Sequence, residues 1–151
     1  YSNIEAKVTI SGILDKPGIS AKIFGLMTEN NINVDMIVQS ASVNLQKTDI
    51  TFSLARSDLS TAVTNITSLK DELAFERLVH DDNIAKISVI GTAMRTQPGI
   101  AKCMFEVLSE KKINMQVIST SEIKISVLIQ ADYAELAVRS LHDAFGLDAS
   151  D

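Results

Sequence analysis

Val8 and Ile10 alternate with Lys7, Thr9 and Ser11, the two-residue period of a half-buried strand, and the run stops at Gly12. After Pro17-Gly18 the period lengthens: Ile19, Ile23, Leu26 and Met27 recur at the spacing of one helix face. Val34, Met36 and Val38 return to alternation, as do Ile50, Phe52 and Leu54, which predicts a second and a third strand. A second helix is predicted by Leu59, Ala62, Val63, Ile66 and Leu69, and Phe75–His80 reads as a fourth strand.

The same order then starts again. Aligning Pro17 with Pro98 lays PGISAKIFGLMTENNINVDMIVQS on PGIAKCMFEVLSEKKINMQVISTS without a gap, and nine of the 24 pairs are identical. Upstream, KVTISG from Lys7 echoes KISVIG from Lys86; downstream, Ile125, Val127 and Ile129 match the third strand. Ile100, Met104, Val107 and Leu108 repeat the first helix face, and Ala134, Ala137, Val138, Leu141 and Phe145 the second. Pro17 and Pro98 suit the first turn of a helix, where a missing N–H costs nothing. A period near eighty residues is too long for a solenoid and right for a duplicated small domain. The chain is therefore read as two modules, residues 1–82 and 83–151, each strand, helix, strand, strand, helix, strand. In that split βαβ order two helices cover one face of a four-stranded antiparallel sheet. The second module runs out early, because Gly146–Asp151 is small and polar. Its fourth strand is expected either to be missing or to come from the N-terminal segment, and the chain is expected to be a piece of something longer.

Composition narrows the function. With 46% apolar and 22% charged residues the chain can form a core. Its 14 Lys+Arg against 19 Asp+Glu, net −5, disfavour nucleic acid and anionic membrane as partners. A single cysteine makes no internal disulfide, and no charged-then-apolar leader precedes the first strand, so the expected compartment is the cytoplasm.

Catalytic chemistry is hard to find. His80 stands beside Asp81 and Asp82, read as a solvated turn between modules, and His142 beside Asp143; neither has a second His at ligand spacing. Cys103 has no partner for a metal or redox role. Neither a Gly-rich Lys-Ser/Thr phosphate loop nor a serine elbow occurs. No catalytic site, no metal site and no cofactor are expected in this chain. The informative segment is Asp15-Lys16-Pro17-Gly18, a tight turn into a helix N-terminus whose amide groups suit a carboxylate. Asp15 supplies a charge for an ammonium group, so one loop could hold both ends of an amino acid. The second strand opens alike in both copies, Asn33-Val34 and Asn114-Met115, and can offer backbone groups and a side-chain amide.

The residues LDKPG, INVDMIVQ, TDITF and INMQVISTSEIKISVLI, with a helix ending LHDAF, are similar to the paired ACT domains in the regulatory part, or separate regulatory subunit, of aspartate kinase. The likeness covers Ala6 to Leu147. It implies an α+β fold class: two tandem ferredoxin-like (βαββαβ) ACT domains, antiparallel sheets with helices on one face. It also implies an allosteric sensor for feedback inhibition, with ATP and Mg belonging to a kinase domain outside these residues. The implied effector site comprises Asp15, Lys16, Pro17, Gly18, Ile19 and Ser20, then Asn33, Val34, Asp35 and Gln39. Its counterparts in the second module are Ile100, Ala101, Asn114, Met115, Ser121 and Glu122. Gln97 stands roughly where the first loop has Asp15, so the two sites are expected to be unequal. Gln39 suits a hydroxyl, and Gln116 replaces Asp35 where a lysine side chain would need a carboxylate. The expected effector is therefore threonine, alone or in concert with lysine. The implied partners are the kinase catalytic domain or subunit and a second copy of the chain in a homodimer.

Other classes fit less well. An RNA-recognition module of the same order needs stacking aromatics, and TDITFSLA has only Phe52 while ISVLI has none. A metal carrier needs two cysteines in a loop that reads DKPG. An acylphosphatase-like enzyme would use Arg95 near the second loop, and a ligand-free dimerisation module needs no site at all.

Overall fold

The computed structural model describes residues 2–14, 16–41, 46–91, 97–121 and 123–145. The strands are β1 (Ser2–Leu14), β2 (Val34–Ala41), β3 (Lys47–Ala55), β4 (Arg77–Ile90), β5 (Val117–Thr120) and β6 (Lys124–Gln130). The helices are α1 (Ile19–Glu29), α2 (Leu59–Ser68), the one-turn α3 (Lys70–Leu73), α4 (Gln97–Glu110) and α5 (Ala134–Phe145). Two compact units result, Ile4–Asp82 and Tyr1–Asn3 with Asn83–Asp151. β1 and β4 both pass through the division, and the opening residues of β1 fall in the second unit.

In the first unit the strand order is β2-β3-β1-β4. Val8, Ile10, Ile50, Phe52 and Leu54 are buried with Ile19, Ile23 and Met27 of α1 and Ala62 and Ile66 of α2. The three- and four-residue spacing of the helices thus meets the two-residue spacing of the strands on one side of the sheet. In the second unit, where β4 adjoins β6 and β6 adjoins β5, Ile87, Ile125, Val127 and Ile129 meet Met104 and Leu108 of α4 and Ala137 and Leu141 of α5. Away from the helices the duplication also reaches paired hydroxyls. Thr9 and Thr51 are 2.9 Å apart across β1 and β3, and their counterparts Ser88 and Ser126 are 2.8 Å apart across β4 and β6.

Several sequence expectations change. The expected fourth strand begins at Arg77, not Phe75, and runs without a break into the strand from Lys86 as β4, so Asp81-Asp82 lies inside a strand rather than in a turn. No Gly or Pro interrupts Arg77–Ile90, so nothing breaks the extended backbone there. β1 begins at Ser2 and continues past Gly12 to Leu14. Pro98 lies in the first turn of α4, but Pro17 precedes α1, which begins after Gly18. Asn114 and Met115 precede β5, which starts only at Val117. The stretch Gly146–Asp151 lies outside the described residues.

Alternation in β2 also fails beyond Val34. Val34 pairs with Leu54 but Ile37 pairs with Phe52, so Asp35 and Met36 together oppose Ser53. The extra residue is a β-bulge, and a one-residue slip exchanges the faces of everything after it. Met36 is buried but outside the core cluster, and Val38 is exposed. β1 has a second bulge: Ile10 pairs with Ile50 and Ile13 with Thr48, leaving Ser11 and Gly12 opposite Asp49. The Asp49 carboxylate accepts from the Gly12 amide at 2.9 Å and from the Ser11 hydroxyl at 3.2 Å. Gly12 adopts φ +73°, open to glycine and costly for other residues. Past this bulge Ile13 turns into the core.

Candidate functional site

The loop after β1 leads into α1 through Gly18, whose φ of +91° only glycine adopts readily. The Ile19 amide donates back to the Lys16 carbonyl at 3.4 Å, closing the turn. Gly18 has no side chain to cap the helix, so the first turn keeps its positive, donor-rich end toward the loop. Lys16, Pro17 and Gly18 are exposed and Ser20 half-buried, while Ile19 packs into the core. Asp15 lies outside the described residues.

Across from this turn stands β2, an edge strand of the first unit. Asn33 precedes it and is exposed, Val34 packs on the core, and Asp35 is exposed on the bulge. Gln39 pairs with the buried Ile50, and opposed residues of an antiparallel pair share a face, so Gln39 stands on the side of α1. There the Ser20 hydroxyl donates to Gln39 Oε1 at 3.5 Å, at an exposed position. Two of the expected site residues, from different elements, therefore meet. A rim of hydroxyl, side-chain amide, Asn33 and helix-start amides can serve a small zwitterion; nothing in it is a nucleophile paired with a base.

The second unit differs at the matching positions. Ile100 is core and Ala101 is half-buried beside it. Asn114 is exposed, whereas Met115 packs on the core. Ala101 and Thr120 stand where the first unit has Ser20 and Gln39, so that contact has no equivalent. Gln116, the counterpart of Asp35, donates its side-chain amide to Gln130 Oε1 at 3.2 Å. Ser121 is exposed, its amide and hydroxyl directed at the Lys124 carbonyl at 2.8 and 3.3 Å. Glu122 and Arg95 lie outside the described residues.

Elsewhere, His80 lines an open cleft of about 390 Å³ with Arg56, Ser60, Thr64 and Asp82. Among the described residues no three His, Cys, Asp or Glu side chains gather as metal ligands, and no helix is long and apolar enough to cross a membrane. Sequence reasoning passed over Asp49 and Ser53, the residues opposite the two bulges. Both fall at the outward positions of an alternating strand, where polar residues are ordinary, and the one sign at Ser53 is that the other copy has Leu128.

The chain belongs to the ACT-domain family: the family model for the ACT domain matches residues 8–68 and again residues 87–145. The curated proteins it resembles are aspartate kinases. It is 45% identical over 149 residues to the aspartate kinase of Pseudomonas putida, covering 99% of this chain and 36% of that protein. It is 46% identical over 152 residues to the aspartokinase of Mycolicibacterium smegmatis, covering 100% and 36%. The chain thus spans 36% of the length of these curated relatives. Among solved structures it resembles aspartokinase alpha and beta subunits, with a TM-score of 0.88 and 39% identity over 96% of this chain and 95% of that one. It also resembles the ligand-free regulatory subunit of aspartate kinase from Thermus thermophilus, with a TM-score of 0.84 and 33% identity over 93% and 92%.

Proposed function

We propose that this chain is the amino-acid-sensing regulatory part of an aspartate kinase, with residues 1–82 and 83–151 as its two ACT modules. It takes threonine, alone or in concert with lysine, as the feedback effector. The carrying observation is the Ser20–Gln39 contact, which joins the helix start to the strand edge at a solvent-open place. In this reading Asp15 pairs with the effector's ammonium group, the first turn of α1 receives its carboxylate, and Gln39 meets the threonine hydroxyl. Lys16, Pro17, Gly18, Asn33, Val34 and Asp35 complete the rim. Ile100, Ala101, Asn114, Met115, Ser121 and Glu122 form a second, weaker site. ATP and Mg are handled by the kinase catalytic domain or subunit, the regulated partner, in the cytoplasm.

Isothermal titration should show threonine binding that Asp15→Ala weakens at least tenfold, a loss of about 1.4 kcal/mol. Unchanged affinity in that variant removes Asp15 from the site. The effector is expected to bind across an ACT–ACT interface between two copies of the chain, which makes it stabilise the homodimer by linkage. Sedimentation should then give a tighter dimer with threonine than without, and equal dimer constants would count against this mechanism. Ile37, 52% exposed on the β2 edge, also suits a dimerisation module with no ligand. Thermal-shift screening against the twenty amino acids separates the two, since that module responds to none.

A further inference from the structure

We propose that Ser53 is a positioning residue for the effector site of the first unit, acting through the bulge in β2. This rests on the sensor reading above. Ser53 is fully buried, and its hydroxyl accepts the Met36 amide at 3.0 Å. That amide belongs to one of the two residues crowded opposite Ser53, where the regular ladder is interrupted. The side chain thus replaces a backbone acceptor at the irregular step, and a buried amide left without one is expensive.

The register shows what depends on this bond. Continued from Val34↔Leu54 without the extra residue, the pairing would put Gln39 opposite Asp49, which is exposed and turned away from the core. With the bulge, Gln39 lies opposite Ile50 and reaches Ser20. The bulge therefore joins the two parts of the site: Asn33 and Val34 before it, Gln39 after it.

The second unit is an internal control. Its residue at the place of Ser53 is Leu128, which has no side-chain acceptor, and Val117 pairs with it where Met36 stands in the first unit. Strand β5 starts there, and Asn114, Met115 and Gln116 lie outside it. In the first unit β2 carries on back to Val34. The Gln116 backbone amide, at the place of Asp35, still reaches the Leu128 carbonyl at 2.8 Å, so pairing persists at this step without a hydroxyl, but the regular strand ends there in the second unit and runs on to Val34 in the first. The difference between the two modules then extends beyond Asp15 and Gln97 to a residue beneath the rim.

The test compares wild type, Ser53→Ala and Ser53→Thr by titration with threonine, at a temperature where circular dichroism shows all three folded. Amide hydrogen exchange is followed at Met36. Ser53→Ala should weaken threonine binding about tenfold and speed Met36 exchange, while Ser53→Thr, which keeps the acceptor, restores both. Because all three are compared while folded, a merely lower global stability leaves the threonine affinity of the folded protein unchanged. Wild-type affinity in Ser53→Ala, or Met36 exchange that does not change, overturns the proposal. If wild type binds no amino acid, the sensor reading falls and the role of Ser53 in it falls too. Binding by wild type with equal binding by Ser53→Ala sinks the positioning role alone.

Discussion

Phe52→Ala is expected to lower the stability of the first unit by about 3–5 kcal/mol, the range for removing a fully packed aromatic side chain. Phe52 is 1% exposed in the middle of β3, opposite Val8 on one side and Ile37 on the other. Its ring meets Phe24 of α1 edge-on, with centroids 5.5 Å apart and planes at 79°, a favourable arrangement of the two quadrupoles. Truncation removes one of the contacts that tie the sheet to α1 and leaves a cavity that strands held by ladders on both sides cannot close. Small domains have only about 5–15 kcal/mol in total, so the loss takes a large share. Urea titration followed by circular dichroism measures it. A loss under about 1 kcal/mol would mean that the ring is not packed as described.

Gly12→Val is expected to be the next most damaging, at about 2–3 kcal/mol. Part of this is conformational. An L residue in the left-handed region costs about 1–2 kcal/mol, and branching at Cβ adds to that. The rest is steric, because a Cβ at Gly12 would fall 2.6 Å from Glu76 Oε2, and Lys47 holds that carboxylate at 2.6 Å. Glu76 can move only by loosening that pair, which is partly solvated and weak by itself. At about 4–8 °C per kcal/mol for a domain of this size, calorimetry should show a melting temperature lower by more than about 8 °C. A shift within 2 °C would mean that the bulge relaxes without cost. Gly12→Ala, with no branch, should lose less.

Much of the architecture is legible in the chain because the two periods are clean and occur twice. The faces of α1 and α4, the apolar runs of β3 and β6, and the matched prolines all follow from spacing. What escapes is every place where a side chain overrides the period. Val34, Met36 and Val38 look like one face of a strand until Ser53 receives the Met36 amide and the strand slips by one. Asp49 looks like an ordinary outward residue, yet its carboxylate anchors the other bulge and thereby turns Ile13 inward. The long β4 escapes for a different reason: Asp81 and Asp82 are common turn residues, but a turn needs its backbone released, and no residue near them does so. At the site, Asn33 is visible as a polar residue just before an apolar strand and Gln39 as one within it. That Gln39 faces Ser20 depends on register, which neighbouring strands decide.

β1 lies inside the first unit, between β3 and β4, and the Glu76 amide bonds to the Ser11 carbonyl. During synthesis this middle strand precedes β4 by more than sixty residues. Until then a strand carrying Val8, Ile10 and Ile13 has an open side, and unpaired apolar edges are where nascent chains meet wrong partners. The sheet is a non-local one that must close late, so its yield in a cell should respond to translation speed and to chaperones that shield extended segments.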